Sequence, residues 1–426
     1  MKIAMISEHA SPLASLGGVD AGGQNVYVDE LSAALAQQGH DVTVYTRRDA
    51  ADLQEQVRAP RGYRVVHVPA GPPSLLTKDE ILPHMDEFGR FLGSRWAGDQ
   101  PDVVHAHFWM SGLAALRAAR QNTSTAPIVQ TFHALGTVKR RHQGDRDSSP
   151  PQRVHLERLV GLEVSRIAAT CSSEVFELAR MGVPGSRVSV VPCGVDLSLF
   201  NPQGPVAPRS RPRRVLAVGR LVPRKGFGTS IAALRLLPDT ELVIAGGPAH
   251  GLVTEDAEAQ RLMILARELG VGDRVRMVGL VPQQDMPALL RSADVVVCTP
   301  DYEPFGIVPL EAMACGIPVV VSAVGGLTDT VVDGLTGILV PPRRPEAVAA
   351  ALGRLLNDQA MRNRYGAAGG ARARTRYSWD RIARELLSVY QRARQGTTVT
   401  AEQLAGSDQG HSPHVPARHR VALRLS

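Results

Sequence analysis

Short apolar runs alternate with helical patterns along almost the whole chain, and the alternation stops once and then restarts. Before the stop the runs are KIAMIS (2–7), DVTVYT (41–46), RVVHVP (64–69), DVVHAHF (102–108), PIVQTFH (127–133), RIAATC (166–171) and VSVVPCG (188–194). After it they are RRVLAVGR (213–220), ELVIAGG (241–247), RVRMVGL (274–280), DVVVCTP (294–300), PVVVSAV (318–324) and GILVPP (337–342). Helical spacing lies between several of them. In 23–38, for example, Val28, Leu31, Ala34 and Leu35 share one face and Gly39 stops the pattern. Strands that alternate with helices need crossover connections, so each half predicts a parallel sheet. The stretch between the halves, NPQGPVAPRSRPRR, is rich in Pro and Arg without periodicity and reads as a linker. The predicted fold is α/β, with two doubly wound domains. They cover 1–200 and 215–376, joined by the linker 201–214, with a closing helix at 377–395 and a disordered tail at 396–426.

A chain of 426 residues is too long for one ordinary core, which agrees with two domains. Aromatic residues make up 4% of the chain, which argues against a nucleic-acid surface built on stacked rings. The net charge of +7 suits anionic ligands, while the basic run KRRH (139–142) reads as a solvated loop. No nucleic-acid partner is expected. Cys171, Cys193, Cys298 and Cys315 lie in or beside apolar runs without CxxC spacing, so they read as reduced, buried thiols. The opening MKIAMISEHA is too short an apolar run for a signal peptide, and no run is long enough to span a bilayer. A cytoplasmic location without a transmembrane segment is expected, with a homodimer left open.

In doubly wound sheets, ligands bind beyond the carboxyl ends of the strands. The residues hardest to explain as packing fall there. GGVDAGGQNVYV (17–28) places Gly17, Gly18, Gly22 and Gly23 around Asp20, between the first strand and the first helix. Such a loop fits something that must approach the backbone closely, and its spacing is not that of a dinucleotide fingerprint. In GRLVPRKGF (219–227), Arg220 and Lys225 flank a turn that opens a helix, a site suited to a diphosphate or simply a solvated basic turn. In EPFGIVPLE (303–311), Glu303 precedes a helix and Glu311 lies inside it, with the amides of Phe305, Gly306 and Ile307 at the positive end. The apolar surroundings of Glu311 count against a plain surface acid.

Together these two stretches resemble the retaining family 4 glycosyltransferases, and the likeness runs from KIAMIS to YSW. The resemblance implies the GT-B fold, two Rossmann-like domains facing across a cleft, with a nucleotide-sugar donor on the second and an acceptor on the first. It implies that Arg220 and Lys225 hold the donor diphosphate, Glu311 the ribose, and Glu303 the donor sugar. It places the amides of Phe305, Gly306 and Ile307 against the sugar or the distal phosphate, and Gly23 against the phosphates from the opposite domain. His133, in TFHALG, resembles the histidine beside the reacting carbon. His133, Arg220, Lys225 and Glu303 are therefore the expected catalytic set, and no metal or other cofactor is implied.

Two subgroups share the start of this chain: transferases acting on inositol phosphate, and the sucrose and sucrose-phosphate synthases. The first resembles it in DVVHAHFWMSG and in Lys78 and Arg153, which with Asn25 are the expected acceptor ligands. The chain departs from that pattern at Phe108, where a tyrosine is expected, and at Ala134, where a threonine is expected. Each change removes a hydroxyl, which argues against inositol phosphate itself. The expected reaction is transfer from a UDP-linked sugar to a small, anionic or phosphorylated acceptor. A sucrose-phosphate-synthase-like transfer and a nucleotide-sugar epimerase of the same fold are the alternatives.

Overall fold

A computed structural model describes residues 1–14, 22–122, 126–249 and 251–406. The first sheet contains β1 (Lys2–Ile6), β2 (Asp41–Arg47), β3 (Gln56–Arg58), β4 (Arg64–Val68), β5 (Val103–His107), β6 (Ile128–Thr131), β7 (Arg166–Ala169) and β8 (Val188–Val190). Their spatial order is β3-β4-β2-β1-β5-β6-β7-β8. The second contains β9 (Arg213–Val218), β10 (Thr240–Ala245), β11 (Val275–Gly279), β12 (Val295–Cys298), β13 (Val319–Ser322) and β14 (Gly337–Val340). Here the order is β11-β10-β9-β12-β13-β14. Among the described residues, every pairing between these strands is parallel except β3 with β4.

All the strands but β3 coincide with the apolar runs. β3 is an edge strand of sequence Gln-Val-Arg, mostly exposed, so it carries no hydrophobic signal. The central strands read as unbroken apolar runs because helices cover both faces of each sheet.

Two features place the site. In the first sheet the strand order reverses between β1 and β5, and in the second between β9 and β12. These are the switch points at which doubly wound sheets open a crevice. The other feature is the helix Trp379–Gly406, which follows the second sheet in sequence yet packs on the first domain. Its Ile382, Ala383, Leu386, Val389 and Tyr390 are buried in one cluster with Val28, Leu31 and Leu35 of helix Gly23–Gln37. The chain thus returns across the cleft and ties the two domains together.

This closing helix is longer than expected. Residues 396–406, read from sequence as disordered tail, continue it as far as Gly406. No proline interrupts them, and Ala401, Glu402, Gln403 and Leu404 are strong helix formers. The rest of the expected tail, 407–426, lies outside the described residues, as do Gly17, Gly18 and Asp20 of the glycine loop.

Candidate active site

The carboxyl ends of β1, β5 and β6 meet those of β9 and β12 around a cavity of about 320 Å³. Every residue expected at the site borders this cavity except Arg153.

The second-domain wall comes from two short stretches. After β9 the chain makes the turn Pro223–Lys225 and enters helix Phe227–Leu234 through Gly226, whose φ is +70°. A Cβ at Gly226 would lie 1.8 Å from the carbonyl oxygen of Thr299, so only glycine lets this turn pack on the loop after β12. The Thr299 hydroxyl closes the junction by donating to the Gly226 carbonyl at 2.9 Å. The junction brings Lys225 Nζ to Glu303 Oε2 at 2.6 Å, 78 residues apart in sequence. Burial pushes the Glu303 carboxyl up, but Lys225 and Arg224 outweigh it and hold the group below the usual carboxylate range. Arg220 lies in the same loop, and its Nε would be 3.9 Å from a Cβ placed on Gly22 of the opposite domain.

After Glu303 the chain turns through Gly306 and starts helix Ile307–Ala314, whose first residues, Ile307 and Val308, border the cavity. Glu311 lies on that helix, and among the described residues no cation lowers its carboxyl. Burial, and then Glu30 of the first domain, raise its carboxyl to about 8. At Gly23 the two domains come close to each other. A Cβ there would stand 3.2 Å from Ile307 Cδ1 and 3.7 Å from Phe305 Cδ2.

The first-domain wall is assembled from scattered positions. His133 and Phe108 end β6 and β5 with positive φ of 62° and 78°, rare for residues with a side chain and frequent where function holds the backbone. His133 Nε2 shares a hydrogen bond with His107 Nδ1 at 3.0 Å, and His133 Nδ1 has no partner. Burial, with the charges of His107, His9 and Lys78, holds the imidazole far below its ordinary pKa, so it is neutral. The bond couples the tautomers of the two rings, since one of the two nitrogens must donate and the other accept. Asn25 is buried and occupied: its Oδ1 accepts from the Gly22 amide at 3.0 Å, and its Nδ2 donates to the Ser11 carbonyl at 2.9 Å. Lys78 opens the short helix Lys78–Ile81 and borders the cavity.

Arg153 lies behind this wall. It pairs with Glu157 through Nε at 2.8 Å, and both side chains are buried. Its Nη2 donates to the Ala134 carbonyl at 2.8 Å, and its guanidinium sits 5.1 Å from the Phe108 ring centroid. A cation at a helix start calls for an anion. Here that anion is Glu157, one turn further along the same helix, Arg153–Glu163. Arg153 braces the two positions, Phe108 and Ala134, at which the chain departs from the inositol-phosphate pattern.

Sequence reasoning passed over Arg224 and Tyr302, which also border the cavity. Both stand beside a residue it did pick, Lys225 and Glu303, and that adjacency was the available signal. Among the described residues, no group of three or more His, Cys, Asp or Glu side chains is placed to hold a metal ion. No helix among them is long and apolar enough to cross a membrane.

Comparison with known proteins agrees with this architecture. The profile described as Glycosyltransferase Family 4 matches residues 21–199, and that described as Glycosyl transferases group 1 matches 204–372. A D-inositol 3-phosphate glycosyltransferase from Salinispora tropica is 39% identical over 416 residues, covering 91% of this chain and 85% of that protein. One from Kribbella flavida is 39% identical over 422 residues, covering 94% and 97%. The chain belongs to the family 4 glycosyltransferases of GT-B fold. Among solved structures, the sucrose-phosphate synthase of Thermosynechococcus elongatus superposes with a TM-score of 0.82 at 32% identity, covering 91% of this chain and 98% of that one. The cleft of this glycosyltransferase therefore has one wall made of two compact motifs and one made of dispersed, mutually bonded side chains.

Proposed function

We propose that this glycosyltransferase moves a sugar from a UDP-linked donor to a hydroxyl of a small anionic acceptor, with retention at the sugar carbon and without a metal ion. Residues 215–376 carry the donor and 1–200 the acceptor. The observation that carries the reading is the Lys225–Glu303 pair at 2.6 Å, set between Arg220 and the start of helix Ile307–Ala314. Cations and helix-start amides of this kind stabilise the negative charge that grows on a departing diphosphate. Glu311 would take the ribose hydroxyls and Glu303 the donor sugar. The acceptor hydroxyl attacks the sugar carbon on the face from which the diphosphate leaves and passes its proton to the leaving phosphate oxygen. Neutral His133 contributes a hydrogen bond beside that carbon.

Relatives named for D-inositol 3-phosphate and a structural neighbour named for sucrose phosphate both support an acceptor that carries phosphate. Phe108 and Ala134 favour a sugar phosphate over an inositol phosphate, since each lacks the hydroxyl of the inositol-phosphate pattern. The test is a mass-spectrometric screen of nucleotide sugars for hydrolysis, followed by transfer to fructose 6-phosphate and D-inositol 3-phosphate. Turnover of a UDP-sugar that survives EDTA is expected. Activity that vanishes with EDTA and returns with magnesium or manganese would end the metal-free reading, and indifference to every nucleotide sugar would end the assignment of donor.

A further inference from the structure

Arg224 is a cation that the donor site as described does not use. It lies in the turn Pro223–Lys225 and borders the main cavity. Its neighbour Lys225 is paired with Glu303, and Arg153 across the cleft is paired with Glu157. Among the described residues Arg224 has no ion pair, and its Nη1 is buried with no hydrogen-bond partner. A guanidinium is donor-only, and leaving one of its N–H groups buried and unmatched is costly unless an acceptor oxygen arrives. Glu303 feels the charge of Arg224 but takes its hydrogen bond from Lys225.

The guanidinium is also held in place. It lies 5.3 Å from the centroid of the Tyr302 ring, a cation–π distance. The same ring stacks on His142, of helix Gly136–Gln143 in the first domain, at 5.2 Å. Arg224, Tyr302 and His142 form a column that crosses the cleft from the donor wall to the acceptor domain. Tyr302 and Ala134 together border a second cavity of about 230 Å³, next to the main one, with room for the rest of a small acceptor.

We propose that Arg224 binds the anionic group of the acceptor, a phosphate or carboxylate, and so sets the choice between charged and neutral acceptors. The inference rests on the proposed transfer to an anionic acceptor and gives Arg224 the part that the sequence suggested for Arg153. A planar guanidinium can meet two oxygens of one anion, and stacking on Tyr302 fixes its plane beforehand.

The test is calorimetry on the full chain saturated with UDP, using three pairs of probes: fructose 6-phosphate and fructose, D-inositol 3-phosphate and inositol, glucose 6-phosphate and glucose. At least one phosphorylated probe should bind about tenfold or more tightly than its neutral partner. Arg224→Ala should cut that ratio by about tenfold, leave UDP affinity within about twofold, and be partly rescued by Arg224→Lys. If Arg224→Ala does not fold, Arg224→Gln keeps the stem and carries the same comparison. An unchanged ratio in the variant, or no preference for any phosphorylated probe in the native protein, overturns the proposal. A parallel fall in UDP affinity also overturns it, because Arg224 would then belong to the donor diphosphate. Failure of the underlying transferase reading shows separately, as native protein that does not bind UDP, and the proposal falls with it.

Discussion

The two walls of the cleft handle charge in opposite ways. On the second-domain wall, Arg220, Arg224, Lys225, Glu303 and Glu311 come from two stretches of nine residues each, 219–227 and 303–311, joined by the packing of Gly226 on Thr299 and by the Lys225–Glu303 pair. All five border the cavity, and among the described residues no cation lowers the Glu311 carboxyl. On the first-domain wall, Asn25, His133 and Arg153 come from separate elements, helix Gly23–Gln37, the loop after β6 and helix Arg153–Glu163, and their side chains are bonded into the fold. One wall turns its charge to the cavity and the other consumes much of its own in holding shape. The same residue type, an arginine, lines the cavity on one side and braces the fold on the other, and single substitutions can test whether the two differ in function.

The largest effect is expected at the strut. Arg153→Ala would leave Glu157 buried without its cation, and breaking a buried pair by removing one partner costs about 3–5 kcal/mol. A marked drop in melting temperature is expected, eased in Arg153→Met paired with Glu157→Gln. A variant with native melting temperature and a raised acceptor KM would return Arg153 to the ligands. On the other wall, Lys225→Ala should cut turnover at least about a hundredfold while the fold persists, because the charge it meets grows in the transition state. Near-native turnover in this variant and in Arg220→Ala would remove the diphosphate assignment.

The same contrast explains what could be read from the sequence. The second-domain wall was legible because its residues are close in sequence and are set by helix starts and tight turns, which leave local signatures. The two sheets were legible because buried parallel strands are continuous apolar runs. The pairing of Arg153 with Glu157 was not, because whether two side chains one turn apart meet each other depends on which way the helix face turns. Nor was β3, three residues with one valine, or the continuation of the last helix to Gly406 through residues that carry no core pattern. The column of Arg224, Tyr302 and His142 joins positions more than 150 residues apart in sequence only because the two domains meet there.

A smaller effect should appear in the pH dependence of donor binding. Glu311 is raised to about 8, so below that pH the unliganded group is protonated. A carboxylate that accepts both ribose hydroxyls must be ionised, so UDP binding should release a proton. Affinity should then fall with decreasing pH below 8, by at most about tenfold per unit. The stability of the unliganded protein runs the other way. A carboxyl raised on folding favours the native state at low pH, and that contribution is lost as pH rises from the ordinary value through about 8. Calorimetry at pH 7 in buffers of different protonation enthalpy reads the released proton directly. Glu311→Gln should abolish both the release and the slope, and their persistence in that variant would place the titrating group elsewhere.

A further comparison can be made within the first-domain wall itself. Lys78 and Arg153 looked alike in sequence, as two cations at helix starts, yet only Lys78 borders the cavity. Its helix is a single turn, capped by Thr77 and Glu80. Its charge reaches the site, since it is among those that keep His133 neutral. Loss of one charge-assisted contact costs about 1.5–3 kcal/mol, so Lys78→Ala should raise the KM for a phosphorylated acceptor roughly tenfold or more. UDP affinity and melting temperature should stay at native values, the reverse of the pattern expected for Arg153→Ala. Steady-state kinetics with a phosphorylated acceptor, paired with a melting curve for each variant, separates the two residues. A Lys78→Ala protein that melts early at unchanged KM would mean that both lysine and arginine are struts, and that the cations meeting the acceptor all belong to the second domain.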